Sequence, residues 1–138
     1  CAWVSLPEIK MARFRNRQSE AQQRSAERRR REDEAPRLLE EVPALKSLCL
    51  HIQEHSAHGP IGESKYVRHI PVANAPALVE LPCMDSYCED GGHDVTREIL
   101  RALASGQTHF EGEDSCRGHT KTADCRRVLH YTADATYA

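Results

Sequence analysis

Four cysteines in two short-spaced pairs constrain this chain more than any other feature. Cys83 and Cys88 lie in PCMDSYC, and Cys116 and Cys125 bound CRGHTKTADC. Thiolates are soft ligands. Two tight connections that each offer two of them make the layout of a closed structural zinc site, with four ligands around the ion as a tetrahedron. The intervals are looser than CxxC: four residues separate the first pair and eight the second. The same residues also admit two disulfides, or four reduced thiols without metal. Disulfides belong to an oxidising compartment. The opening CAWVSLPEIK has neither the basic start nor the apolar run of an export signal. A cytoplasmic protein with Zn2+ as structural cofactor is therefore expected, held by Cys83, Cys88, Cys116 and Cys125. His93, in CEDGGHD, and His119, inside the second loop, are each placed to replace one cysteine in a Cys3His site. His93 can equally orient its loop by a hydrogen bond to a carbonyl.

The rest of the chain explains why a staple is useful. Its 138 residues suit one domain plus an appendage, and aromatic residues are only 5% of the total. A domain of roughly 75 residues with so few aromatics gains from a metal. No apolar run approaches the ~20 residues that span a bilayer. Met11 followed by Ala-Arg reads as a native start, which would make residues 1–10 an extension; Cys1 has an alternative reading as the lipid-bearing residue of a mature lipoprotein.

Charge is divided unevenly. Between Met11 and Arg31 stand Arg13, Arg15, Arg17, Arg24, Arg28, Arg29, Arg30 and Arg31 against only Glu20 and Glu27. Residues 61–138 carry an acidic excess. Arg, Gln, Glu and Ala favour a helix, no Gly or Pro interrupts before Pro36, and Glu20/Arg24 and Glu27/Arg31 are i,i+4 pairs. This predicts a basic helical arm, polar all round, which is marginal unless it docks on something.

Three regions follow: 1–36 as charged extension and arm, 37–60 as an amphipathic helical segment and loop, and 61–138 as a zinc-binding α+β domain. Leu38, Leu39, Val42, Leu45, Leu48, Cys49 and Ile52 recur at three- and four-residue steps, predicting a helix over 43–54 with Pro43 in its first turn. Cys49 is then a small buried hydrophobe. Residues 56–64 read as a loop. Residues 66–73 and 77–81 read as a hairpin turning near Asn74–Pro76. Residues 95–104 read as a helix with Asp94 as N-cap, Val95, Ile99, Ala102 and Leu103 as its buried stripe, and Gly106 as its stop. Residues 108–112 read as a short strand. Leu129, Tyr131, Ala133, Ala135 and Tyr137 alternate with Val128, His130, Thr132, Asp134 and Thr136, the clearest strand in the chain.

Some motifs suggest enzymes. His51-Ile-Gln-Glu-His55 resembles the inverted zinc-protease motif, which needs a helix and a further acidic ligand. Only 83 residues follow His55, and no second helical segment among them obviously supplies that ligand. Pro82-Cys83-x4-Cys88 resembles half of the zinc deaminase signature, but no HxE precedes it. A closed four-thiolate site also lacks the open position such catalysis requires. Gly91-Gly92 could present an anion site, but Glu89, Asp90 and Asp94 oppose it. The paired-cysteine layout is similar to zinc ribbons and other knuckle-built modules, without spacings that carry over their residues.

The expected function is therefore non-enzymatic. A zinc-stapled module binds nucleic acid, foremost RNA, or a ribonucleoprotein through its eight arginines. The alternative is a protein-interaction adaptor using the arm and the leucine stripe, and a zinc hydrolase or deaminase comes third.

Overall fold

The computed structural model describes residues 19, 22–57 and 59–138. Arg13, Arg15 and Arg17 of the expected arm, like residues 1–10, lie outside these. The chain divides into two units, Cys1–Ala35 and Pro36–Ala138. In the first, helix α1 covers residues 22–34. Its residues are exposed except the half-buried Glu32, as a helix without an apolar stripe should be. Arg24, Arg28, Arg29, Arg30 and Arg31 all stand on it. Pro36 cannot continue such a helix, and the last turn closes with Ala35 N donating to Arg31 O at 2.9 Å.

The second unit is small α+β. It runs α2 (Leu38–Glu41), β1 (Leu45–Ser56), β2 (Gly59–Ile70), β3 (Glu80–Leu81), β4 (His93–Asp94), α3 (Thr96–Ala104), β5 (His109–Ser115) and β6 (Val128–Tyr137). Four strands form one antiparallel sheet in the order β2-β1-β6-β5, and β3 and β4 form a separate pair.

Strand β6 follows its alternation: Leu129, Tyr131, Ala133 and Ala135 are buried. Strand β1 replaces the expected helix over 43–54. Side chains of a strand alternate between faces. Leu48, Leu50, Ile52 and Glu54 point inward, leaving Cys49, His51 and Gln53 in the opposite phase. Cys49 is therefore half-buried beside His51, with Sγ 3.9 Å from Nε2, and is not a core residue. Leu38, Val42, Leu45, Leu48 and Ile52 are all in the core, and Leu39 packs partly buried against it, so most of the leucine stripe packs inside the unit.

The expected loop over 56–64 is mostly β2, which pairs antiparallel with β1. The hairpin expected near residue 75 does not form. Residues 66–70 pair with β1, while Glu80–Leu81 pair with His93–Asp94. Helix α3 is where the stripe places it: Val95, Ile99 and Leu103 are buried in the same core cluster. Val95 takes the N-cap position, and Asp94 sits one residue earlier with Oδ1 accepting from Thr96 N at 3.1 Å. Gly106 closes the helix at φ 72°, a left-handed conformation that only glycine adopts cheaply. Strand β5 runs to Ser115, three residues beyond expectation. No described helix is long and apolar enough to cross a membrane.

Candidate metal centre

Two chain connections build the site. Cys83 and Cys88 lie between β3 and β4, and Cys116 and Cys125 lie between β5 and β6. Their four Sγ atoms lie within 4.8 Å of one another. Cys83 faces Cys125 and Cys88 faces Cys116, each pair at 3.7 Å. All four are free thiols, and these separations are far beyond the about 2.05 Å of a disulfide. The structure thus brings together every expected ligand, and the four residues can hold a metal ion.

The backbone keeps the two connections in register. Glu89 N donates to His119 O at 2.7 Å, and His119 N returns to Glu89 O at 3.0 Å. Cys125 N donates to Gly118 O at 2.9 Å, folding the second connection onto itself. The approach is close enough to demand glycine. A Cβ on Gly118 would stand 2.5 Å from Cys88 Sγ, 2.5 Å from Gly91 Cα and 2.7 Å from Glu89 O. One on Gly91 would overlap Cys88 Sγ and come within 2.6 Å of Cys116 Sγ.

The thiols do not share one electrostatic setting. Burial raises the Cys83 thiol far above its ordinary value, and burial followed by the neighbouring thiols pushes Cys88 up to about 12. Burial also acts upward on Cys116. There it is outweighed by N–H donors from Gly118 and Gly92, each 3.4 Å from Sγ, and by the Cys88 and Cys83 thiols. Cys116 is held below the usual thiol range. A cation that replaces the remaining protons relieves the crowding of four sulfurs.

Neither histidine joins the cluster. His93 is buried, with Nδ1 2.9 Å from Asp114 Oδ2 and Nε2 3.7 Å from Glu54 Oε2. Its partners are carboxylates, not the carbonyl expected of an orienting role. His119 is exposed, with Nε2 3.6 Å from Glu89 Oε2.

Sequence reasoning missed Glu54 and Arg127 as supports of the site. Glu54 is completely buried. Its Oε1 accepts from Met84 N at 3.0 Å, from the Cys83 thiol at 3.7 Å and from Arg127 Nε. The buried carboxylate therefore fixes both the start of the first cysteine connection and the guanidinium that follows the second. The available signal was its position, in phase with Leu48, Leu50 and Ile52.

No family model, curated protein or solved structure matches the chain. The site therefore stands on its own geometry.

The same structure places the residues of the enzyme-like motifs. On a strand, His51 and His55 share the outward face about 13 Å apart, from a rise of about 3.3 Å per residue, while Glu54 points the other way. The inverted protease arrangement requires a helix and is not formed. An HxE tripeptide, His109-Phe110-Glu111, follows the first cysteines; His109 and Glu111 are exposed on β5 and are not members of the cysteine group.

Proposed function

We propose that the unit Pro36–Ala138 is a zinc-stapled, non-catalytic binding module, and that the arginines of α1 give the protein its contact with nucleic acid, foremost RNA or a ribonucleoprotein. The observation that carries the first half is the convergence of four thiols from two connections. A Zn–S bond of about 2.3 Å makes the edge of a ZnS4 tetrahedron about 3.8 Å. The two facing pairs stand at 3.7 Å. An all-thiolate set selects a soft or borderline ion and fills a tetrahedron, leaving no position for substrate. The N–H groups of Gly92 and Gly118 directed at Cys116 supply the outer-shell donors that a charged sulfur requires.

The second half rests on α1. Arg24, Arg28 and Arg31 recur at i, i+4 and i+7 along one helix face, and Arg29 and Arg30 project from other sides of the same helix. Guanidinium groups fork onto phosphate oxygens, and each neutralised phosphate releases counterions.

Elemental mass spectrometry with a thiol count tests the metal. One zinc per chain is expected, with Cys49 and Cys1 reactive while Cys83, Cys88, Cys116 and Cys125 are protected until chelation. A metal-free protein with four reactive cluster thiols refutes the staple. Anisotropy of a labelled RNA hairpin tests the arm: affinity should fall steeply with salt, and salt-independent binding or none refutes it.

A further inference from the structure

A second group of metal-binding side chains lies on the outward face of the sheet, away from the cysteines. His55 on β1 and His130 on β6 meet with their Nε2 atoms 3.1 Å apart. The rings are inclined by only 21°, with centroids at 5.2 Å. What each ring does with its other nitrogen decides the chemistry. His55 Nδ1 is 2.8 Å from the carbonyl oxygen of Ser56. A carbonyl only accepts, so Nδ1 carries the hydrogen and Nε2 keeps its lone pair. His130 Nδ1 is 3.4 Å from Glu113 Oε2, a carboxylate that again favours the hydrogen on Nδ1. Both Nε2 atoms then present lone pairs to each other at a distance where two acceptors repel. The repulsion is relieved when either a shared proton or a metal ion lies between them.

We propose that His55 and His130 form a second, open binding site for a borderline divalent metal ion of the Zn2+, Ni2+ or Cu2+ class. Imidazole suits these ions. At Zn–N bonds of about 2.0–2.1 Å, two nitrogens of one tetrahedral ion lie about 3.3 Å apart, close to the separation here. A carbonyl on one ligand's outer nitrogen and a carboxylate on the other's is the support that metal-bound histidines use. Because the chain supplies two nitrogens, the remaining positions are open to water or an exogenous ligand. The His130 side chain is 44% exposed, and it also lines a groove of about 350 Å³ with His51, Gln53 and Lys65. The site is independent of the thiolate centre and of the nucleic-acid reading.

The test uses the full chain with Cys49→Ser, to remove the thiol beside His51, and with the thiolate site filled by zinc. Equilibrium dialysis against Ni2+ should find one additional ion per chain. His55→Ala and His130→Ala should each abolish it, and Glu113→Gln should weaken it about tenfold by freeing the outer nitrogen. His51→Ala should leave it intact. All four positions face outward, so unchanged thermal unfolding before Ni2+ is added confirms intact folds. Nitrogen-15 spectra of the imidazoles give the second readout: both Nε2 resonances should move on addition of diamagnetic Zn2+. No additional ion, with a proton shared between the two Nε2 atoms, overturns the proposal. So does an additional ion that survives both histidine substitutions.

Discussion

Replacing Gly118 with alanine tests how tightly the two cysteine connections are packed. The new Cβ would stand 2.5 Å from Gly91 Cα, 2.5 Å from Cys88 Sγ and 2.7 Å from Glu89 O. Ordinary contacts between carbon atoms begin at about 3.5 Å, so the connections must part by about 1 Å. Two of the three obstructing atoms are backbone, so no rotamer change relieves the clash. The separation either breaks the reciprocal hydrogen bonds between Glu89 and His119 or moves Cys88 from its vertex. Overpacking costs about 1–3 kcal/mol, and a strained hydrogen bond adds about 1 kcal/mol. Together these give about 2–4 kcal/mol, a loss of zinc affinity of about 30- to 1,000-fold. Competition against a chromophoric chelator measures it. Gly106→Ala is the control: its Cβ meets nothing within 4 Å, but φ is 72°. It should cost about 1–2 kcal/mol of stability from backbone strain and leave zinc affinity in the folded state unchanged. Zinc affinity of Gly118→Ala within threefold of the parent would refute close packing of the two connections around the ion.

Glu54→Ala removes the acceptor shared by Arg127, Met84 and Cys83 and with it the buried ion pair to Arg127; it should cost about 3–5 kcal/mol in urea unfolding, and a loss below 1 kcal/mol contradicts the described network. Leu50→Ala, at a completely buried position on β1, should cost about 2–5 kcal/mol, whereas Gln53→Ala on the outward face should stay within about 0.5 kcal/mol. Chelation should expose the thiols of Cys83, Cys88, Cys116 and Cys125 to alkylation. It should also lower the melting temperature by at least about 10 °C, the equivalent of about 2 kcal/mol in a unit of this size; an unchanged melt argues against a structural metal. Arg24→Ala with Arg28→Ala should reduce the salt slope of single-stranded RNA binding by about 1.4, at about 0.7 per phosphate contact; an unchanged slope removes these side chains from the interface.

The parts of the fold that local chemistry determines were readable in advance. Strand β6 alternates without interruption, and α3 carries both its stripe and its terminal glycine. The cysteines were readable as a set because a metal ligand is recognised by its donor atom, whatever loop carries it. Strand β1 was not readable as a strand. Leu45, Leu48 and Ile52 fall at helical steps, Pro43 resembles a first-turn proline, and counting Cys49 as apolar hid the alternation of Leu48, Leu50 and Ile52. Glu54 completed the concealment: it occupies an inward position, but a carboxylate there is favourable only with partners, and those come from residues 83, 84 and 127. For the same reason His93 looked like a ligand. Nothing local distinguishes a metal-bound imidazole from one held between Asp114 and Glu54. The pairing of His55 with His130 was equally invisible, since it depends on the register of β1 against β6.

The sheet order has a consequence for how the chain acquires its shape during synthesis. The β1–β2 hairpin can close as soon as its residues emerge, but the inner edge of β1 pairs with β6, Leu48 opposite Ala135 and Leu50 opposite Ala133. Strand β6 emerges after every other described strand, yet it occupies a central place in the sheet. Until it arrives, β1 presents a long unpaired edge with apolar side chains, and β5 has no neighbour in its sheet. Such edges recruit other strands, and pairing between distant segments is slow to form. The nascent protein therefore passes through a period of aggregation risk that ends only when β6 inserts. Because Cys125 lies only three residues before that strand, the last cysteine joins the thiol cluster as the gap in the sheet is filled.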